Sequence, residues 1–195
     1  DFDGSDDIVD ASVDSFKGVT GKLARTVSAW IKTTAADPPI ISWGQNATGK
    51  KFAFRVQSTD GTNGAIRVEV SGGYIVGALP VNDGLWHHVA AVVPSNTALN
   101  VTQARLYVDG ELQGTSAAQS QAINTASSAN VRVGTRFTGS TFAGQIDDVR
   151  GYDHPLTPPE LNALAGITDT YAAAVAADTP EGWWRLGEDF GARVV

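Results

Sequence analysis

The sequence predicts an all-β protein, a sandwich of antiparallel sheets. Three observations carry this. Short runs alternate apolar and polar residues with a period of two, as half-buried strands do. Turn chemistry rich in Gly, Asn and Asp separates these runs at sandwich-like spacing. Charged residues are only 18% of the 195, against 21 glycines, a balance that suits strands and turns better than helices.

The elements follow in order. Thr26-Val27-Ser28-Ala29-Trp30-Ile31-Lys32 puts Val27, Ala29 and Ile31 on one face and Ser28, Trp30 and Lys32 on the other. Residues 51–56 and 65–70 alternate likewise, with Phe52, Phe54 and Val56 in step, then Ile66, Val68 and Val70. Between them Thr59-Asp60-Gly61-Thr62-Asn63-Gly64 is a turn. Gly72-Gly73 precedes the run 74–79, and Asn82-Asp83-Gly84 precedes a longer apolar strand at 86–93. Runs 104–108 and 111–114 flank Asp109-Gly110, a strong hairpin signal because both residues tolerate positive φ. Residues 131–133 and 142–152 complete the nine runs named here.

The pattern then changes. Thr157-Pro158-Pro159-Glu160 reads as a capping box with Pro in the first turn, and Leu161, Leu164 and Ala165 form one apolar face. Gly166 stands where a helix would be capped, so a helix is expected over 158–165. A second Ala-rich stretch, 171–177, reads as helix or linker, and Asp178-Thr179-Pro180 ends it. Residues 182–188 read as one more strand and 189–195 as a frayed end.

Composition excludes several function classes. The net charge is −7 and no basic cluster exceeds Lys50-Lys51, which argues against nucleic acid as a partner. No apolar run approaches the ~20 residues of a membrane span. Zero cysteine removes disulfides, thiolate metal sites and cysteine nucleophiles. The chain has no methionine at all, so its first residue points to a processed protein or an excised fragment.

Three ordered segments resemble a laminin-G-like domain of the concanavalin A-like superfamily. The first is Phe2-Asp3-Gly4-Ser5-Asp6-Asp7-Ile8-Val9 with the strand at 26–31. The second is Gly84-Leu85-Trp86-His87-His88-Val89-Ala90 with Leu106-Tyr107-Val108-Asp109-Gly110. The third is Gly144-Gln145-Ile146-Asp147-Asp148-Val149-Arg150 with 156–161. The resemblance covers residues 2–166 and implies a two-sheet antiparallel jelly roll, one sheet convex and one concave, with a short C-terminal helix. It implies an extracellular, secreted or cell-surface module for adhesion or carbohydrate binding, its partner a glycan or an extracellular protein. It also places Trp30 and Trp86 at core positions.

One departure stands out. Such domains begin with a strand like Trp-Arg-Leu-Asp-Glu, and the matching Trp184-Arg185-Leu186-Gly187-Glu188 lies here at the C-terminal end. The organisation expected is therefore a jelly roll over 1–166, an Ala-rich helix or linker over 167–181, and a strand over 182–195 that opens a further repeat or completes a domain. Trp183, Trp184 and Leu186 are its docking side chains. The vacant position would lie near 146–152. Filling from the same chain, filling from an adjacent copy in a filament-like structural array, and a merely dangling repeat start all remain open.

Catalysis finds no footing in the sequence. Glycosidases on this fold need paired carboxylates, and none of the five glutamates (Glu69, Glu111, Glu160, Glu181, Glu188) belongs to a Glu-x-Asp-x-x-Glu pattern. The nucleophile elbow and the zincin motif are absent too, so a non-enzyme is expected. The resemblance implies a structural Ca²⁺ on Asp147, with Asp3 as partner and Asp148 in reserve; the alternative for Asp148 is an ion pair with Arg150 on the same face. His87 and His88 are adjacent and point to opposite faces, so packing of at least one outweighs ligation. For ligand binding the candidates are Trp43, beside the polar Gly44-Gln45-Asn46, and Tyr74 after Gly72-Gly73, with Arg55 and Arg67. Sugar rings stack on such aromatic faces while planar polar groups fix their orientation; scattered core and surface aromatics are the competing reading.

Overall fold

The computed structural model describes residues 1–11, 18–95, 99–137 and 139–166, together with the backbone of 182–184. The strands are β1 (Phe2–Asp3), β2 (Val9–Asp10), β3 (Arg25–Lys32), β4 (Pro39–Gly44), β5 (Lys51–Val56), β6 (Ala65–Glu69), β7 (Tyr74–Pro80), β8 (Trp86–Val93), β9 (Arg105–Val108), β10 (Glu111–Leu112), β11 (Thr115–Gln119), β12 (Arg132–Val133) and β13 (Ala143–Tyr152). Helix α1 (Pro158–Leu164) and strand β14 (Gly182–Trp184) follow. Two antiparallel seven-stranded sheets result. The first runs β1-β13-β3-β8-β9-β10, with β14 also on β13, and the second runs β11-β7-β6-β5-β4-β12-β2. This is the expected jelly-roll sandwich.

Period-two alternation fills the space between the sheets. Val27, Ala29 and Ile31 of β3 join Val89, Ala91 and Val93 of β8, and face Phe52, Phe54 and Val56 of β5 and Ile66 and Val68 of β6 across one continuous core. Each Val, Ile or Phe among them, fully buried, contributes about 1.5–3 kcal/mol, and the alanines less. Helix α1 covers part of the other side of the first sheet. Leu156, Leu161 and Leu164 pack there on Ala90, Val92, Tyr107 and Tyr152. The Glu160 carboxylate accepts from the Thr157 N–H, the return bond of a capping box, and also from the Thr157 hydroxyl.

Turns follow local chemistry. Asp109-Gly110 (φ +50° and +80°) closes β9 on β10, and Ser71-Gly72 (φ +51° and +89°) closes β6 on β7. Both have the paired positive φ of a type I′ hairpin.

Besides the two-residue β1 and β2, two strands escape the sequence pattern. Residues 39–44 form β4, between β5 and β12, where Trp43 pairs with Phe52. Pro39 is tolerated because it opens the strand. β11 is an edge strand of small polar residues, exposed along most of its length, so it shows little alternation.

β13 carries a bulge. Its register on β3 moves from Asp147↔Trp30 to Arg150↔Ser28, one residue more on β13 than on β3. Asp148 takes φ +55° there. Ile146 and Val149 therefore both reach the core although they are three apart. β14 lies along the other edge of β13, with Trp184 opposite Val149 and Trp183 opposite Arg150. That falls within the expected vacancy and within the same chain. Leu186 and the Ala-rich stretch 171–177 lie outside the described residues.

Candidate functional site

Because Phe52, Phe54 and Val56 turn inward, Lys51, Ala53 and Arg55 face outward from β5. On β6 the same rule sends Arg67 and Glu69 outward beside them. Arg55 stands directly opposite Arg67, and Ala53 opposite Glu69. Two arginines face to face repel; carboxylates compensate. Glu69 accepts from Arg55 Nε at 3.2 Å and from its terminal nitrogen at 3.1 Å, and from Lys51 on its other oxygen. Arg67 Nε lies 3.0 Å from the same carboxylate as an ion pair, off hydrogen-bond alignment. Asp60 accepts from Arg67 at 2.6 Å, and Asp37 accepts from Arg55 and, at 2.8 Å, from Arg136. The Arg67 guanidinium lies over the Tyr74 ring, 3.9 Å from its centroid.

Burial alone would raise the Glu69 carboxyl, but Arg55, Lys51 and Arg67 outweigh it and hold it at about 2. Burial lowers Arg55 below the usual arginine value, with Glu69 opposing. Beside this network a cavity of about 270 Å³ opens at the β6–β7 hairpin. It is lined by Lys51, Arg67, Glu69, Tyr74 and Gln119, and by the turn backbone from Ser71 to Gly73.

The structure thus gathers Arg55, Arg67 and Tyr74 on one face. It does not bring Trp43 there. Trp43 is 2% exposed in the core, its ring 4.5 Å from that of Phe52 and its indole N–H donating to Val19 O at 2.9 Å. The expectation of a binding tryptophan is corrected: Trp43 shares the inward face of β4 with Ile41. Its polar neighbours Gln45 and Asn46 belong to the following turn and say nothing about its side.

Trp30 and Trp86 are corrected in the opposite sense. Both lie on the outer side of the first sheet, Trp86 41% exposed, and Trp30 half-buried with its ring edge-on to His88 at 5.6 Å. Alternation with Ala29 and Ile31 already sends Trp30 outward. Lys51, Glu69 and Gln119 complete the cavity and were not among the sequence candidates. The signal for Glu69 was its place two residues from Arg67, on the same strand face.

Asp147 and Asp3, the pair expected at a calcium site, do not converge. Asp3 pairs with Ala143, four residues along β13 from Asp147, so the two stand roughly 13 Å apart. Asp148 is 4% exposed and ion-paired with Arg150, the alternative foreseen for it. Among the described residues no three His, Asp or Glu side chains gather around a common point. Asp3 therefore does not reach an ion held at Asp147, and the reserve, Asp148, is taken by Arg150.

The histidines divide as alternation demands. His88 is 1% exposed, and burial together with Arg150 lowers it to about 3, so it is neutral. His87 is clamped between carboxylates, Nδ1 2.8 Å from Asp109 and Nε2 3.2 Å from Asp83. Burial opposes its protonation, but Asp109 and Asp83 prevail and raise it above 6.5. A raised folded value stabilises fully below the unfolded value of 6.5, and that contribution is lost as pH rises through the raised one. The thermal midpoint of the wild type is therefore expected to exceed that of His87→Gln by more at pH 5.5 than at pH 8.5. Equal differences at the two pH values would refute the clamp.

The laminin G model of the concanavalin A-like lectin/glucanases superfamily matches residues 3–162. The chain belongs to this family. Solved structures share the fold. A native heptameric SAP-like pentraxin from Limulus polyphemus is 18% identical, with TM-score 0.58 over 84% of this chain and 79% of that one. Domain 4 of an extracellular arabinanase from Geobacillus stearothermophilus, solved with arabinotriose, is 20% identical, with TM-score 0.56 over 85% and 87%. The CBM40 of a Ruminococcus gnavus IT-sialidase, bound to α2,6-sialyllactose, is 20% identical, with TM-score 0.55 over 75% and 85%. No curated protein matches. No described helix of this laminin-G-like chain is long and apolar enough to cross a membrane.

Proposed function

We propose that this chain is a non-catalytic glycan-recognition module working outside the cell, and that it binds through the outer face of its second sheet. The observation that carries the reading is the cavity between Tyr74, Gln119 and the Lys51–Glu69–Arg67 group. There a rigid ion-paired surface presents fixed polar groups beside an aromatic ring, the composition sugar sites use. Two similar folds were solved with oligosaccharides, arabinotriose and sialyllactose. That support is analogy of fold.

The same geometry argues against hydrolysis. A glycosidase needs two carboxyl groups, one of them protonated. The cavity lining holds a single carboxylate, Glu69, whose pKa is held at about 2, so that it is ionised at neutral pH.

A glycan array followed by calorimetry on the best ligand tests the proposal. Tyr74→Ala is expected to weaken binding by about tenfold, a loss of about 1.4 kcal/mol, with the fold intact by circular dichroism. Retention of no glycan, or an unchanged affinity in the variant, would overturn it.

A second reading, a building block joined by strand exchange, draws on β14. That strand is seated on β13 of its own chain, which favours a self-contained unit. Size-exclusion chromatography with light scattering separates the two.

A further inference from the structure

We propose that the cavity at the β6–β7 hairpin takes a sugar bearing a carboxylate, and that Lys51 receives it. The inference rests on the glycan reading above and names the ligand class within it.

The first support is the charge of the walls. Two cations, Lys51 and Arg67, line the cavity against one anion, Glu69. Arg55 stands behind as a third cation on the same carboxylate. The other two acids of the network, Asp60 and Asp37, bind the ends of Arg67 and Arg55 away from Glu69, and neither lines the cavity. The lining by itself sums to +1, within a chain of net charge −7.

The second support is which hydrogen-bonding groups are already used. Both Glu69 oxygens are engaged, one by Lys51 and the other by Arg55 and Arg67. The strong acceptor of the recess is therefore saturated, and what it still offers a ligand is donors. Lys51 is the most available. Its ammonium carries three N–H groups and meets one carboxylate, whereas Arg55 and Arg67 each meet two. If Lys51 turns to a ligand, Glu69 keeps both arginines and is not left buried without a counter-charge. Gln119, Ser71 and the backbone of Gly72 and Gly73 stand around the same recess to meet sugar hydroxyls. A hydroxyl-only sugar would leave the surplus charge unanswered; a carboxylate answers it.

Calorimetry with matched pairs tests this: trigalacturonate against galactotriose, and sialyllactose against lactose. Each acidic member is expected to bind about tenfold tighter than its neutral parent at low salt. At about 0.5 M salt that advantage should shrink severalfold, because exposed charges are screened. Which pair shows the larger gap separates uronate from sialate as the source of the carboxylate. Lys51→Gln should abolish the advantage in both pairs and Lys51→Arg should keep most of it, with circular dichroism confirming that both variants fold. Equal affinity for acidic and neutral partners would overturn this inference and leave glycan recognition standing. Binding of neither member of any pair, together with an empty glycan array, would overturn the reading beneath it.

Discussion

Glu69→Ala is expected to cost about 3–5 kcal/mol of folding stability, the range for removing one partner of a buried ion pair. The carboxylate is nearly buried and binds three cations. Without it Lys51, Arg55 and Arg67 face one another across two strands with no central counter-charge. Protonation gives a second route to the magnitude. The drop from 4.5 in the unfolded chain to about 2 in the fold corresponds to about 3 kcal/mol. Because the folded value is depressed, this contribution is fully present above pH 4.5 and is lost as pH falls through about 2. Urea denaturation at pH 7 should show the full deficit of Glu69→Ala, and the gap to wild type should close towards pH 2. A deficit below 1 kcal/mol at pH 7 would mean that the cations are solvated and the network is ornamental.

Trp43→Ala should produce an effect of similar size for a different reason. Its ring fills core volume against Phe52, its N–H bonds Val19 O, and the Arg25 guanidinium lies 5.8 Å from its centroid. Truncating a buried Trp leaves a cavity and typically costs 3–5 kcal/mol. Sugar binding by the folded fraction should be unchanged. Tyr74→Ala should show the opposite pattern, with affinity lost and stability little altered. If Trp43→Ala abolished binding while the melting curve stayed in place, the assignment of Trp43 to the core would fall.

These two aromatics show where sequence reasoning reaches its limit. Tyr74 and Trp43 both follow or precede glycines and polar turn residues, so composition alone treats them alike. What separates them is the strand each occupies. Trp43 belongs to β4, an interior strand of the second sheet, and its partner Phe52 is fixed by a register that no local pattern announces. Trp30 is legible, since its neighbours Ala29 and Ile31 already claim the core face, and that alternation outweighs the core position implied by the family resemblance. The bulge at Asp148 needed the tertiary structure as well. A single added residue in β13 places Ile146 and Val149 on one face, and a period-two count cannot foresee it.

The sequence by itself determined the sandwich, the inward face of β3, β5 and β6, the Asp109-Gly110 hairpin and the capped start of α1. Each follows from interactions within a few residues: alternation, positive φ, or a side chain bonding its own backbone. Only the tertiary structure decided that Arg55, Arg67, Glu69 and Lys51 form one network, that Tyr74 lies beneath Arg67, and that Gln119 closes the recess from β11. Gln119 comes from a strand far away in the chain, and the others come from the consecutive strands β5, β6 and β7, where register decides which side chains meet. Their geometry depends on strand order and register, which are set by burial of the whole core and not by any local stretch of residues.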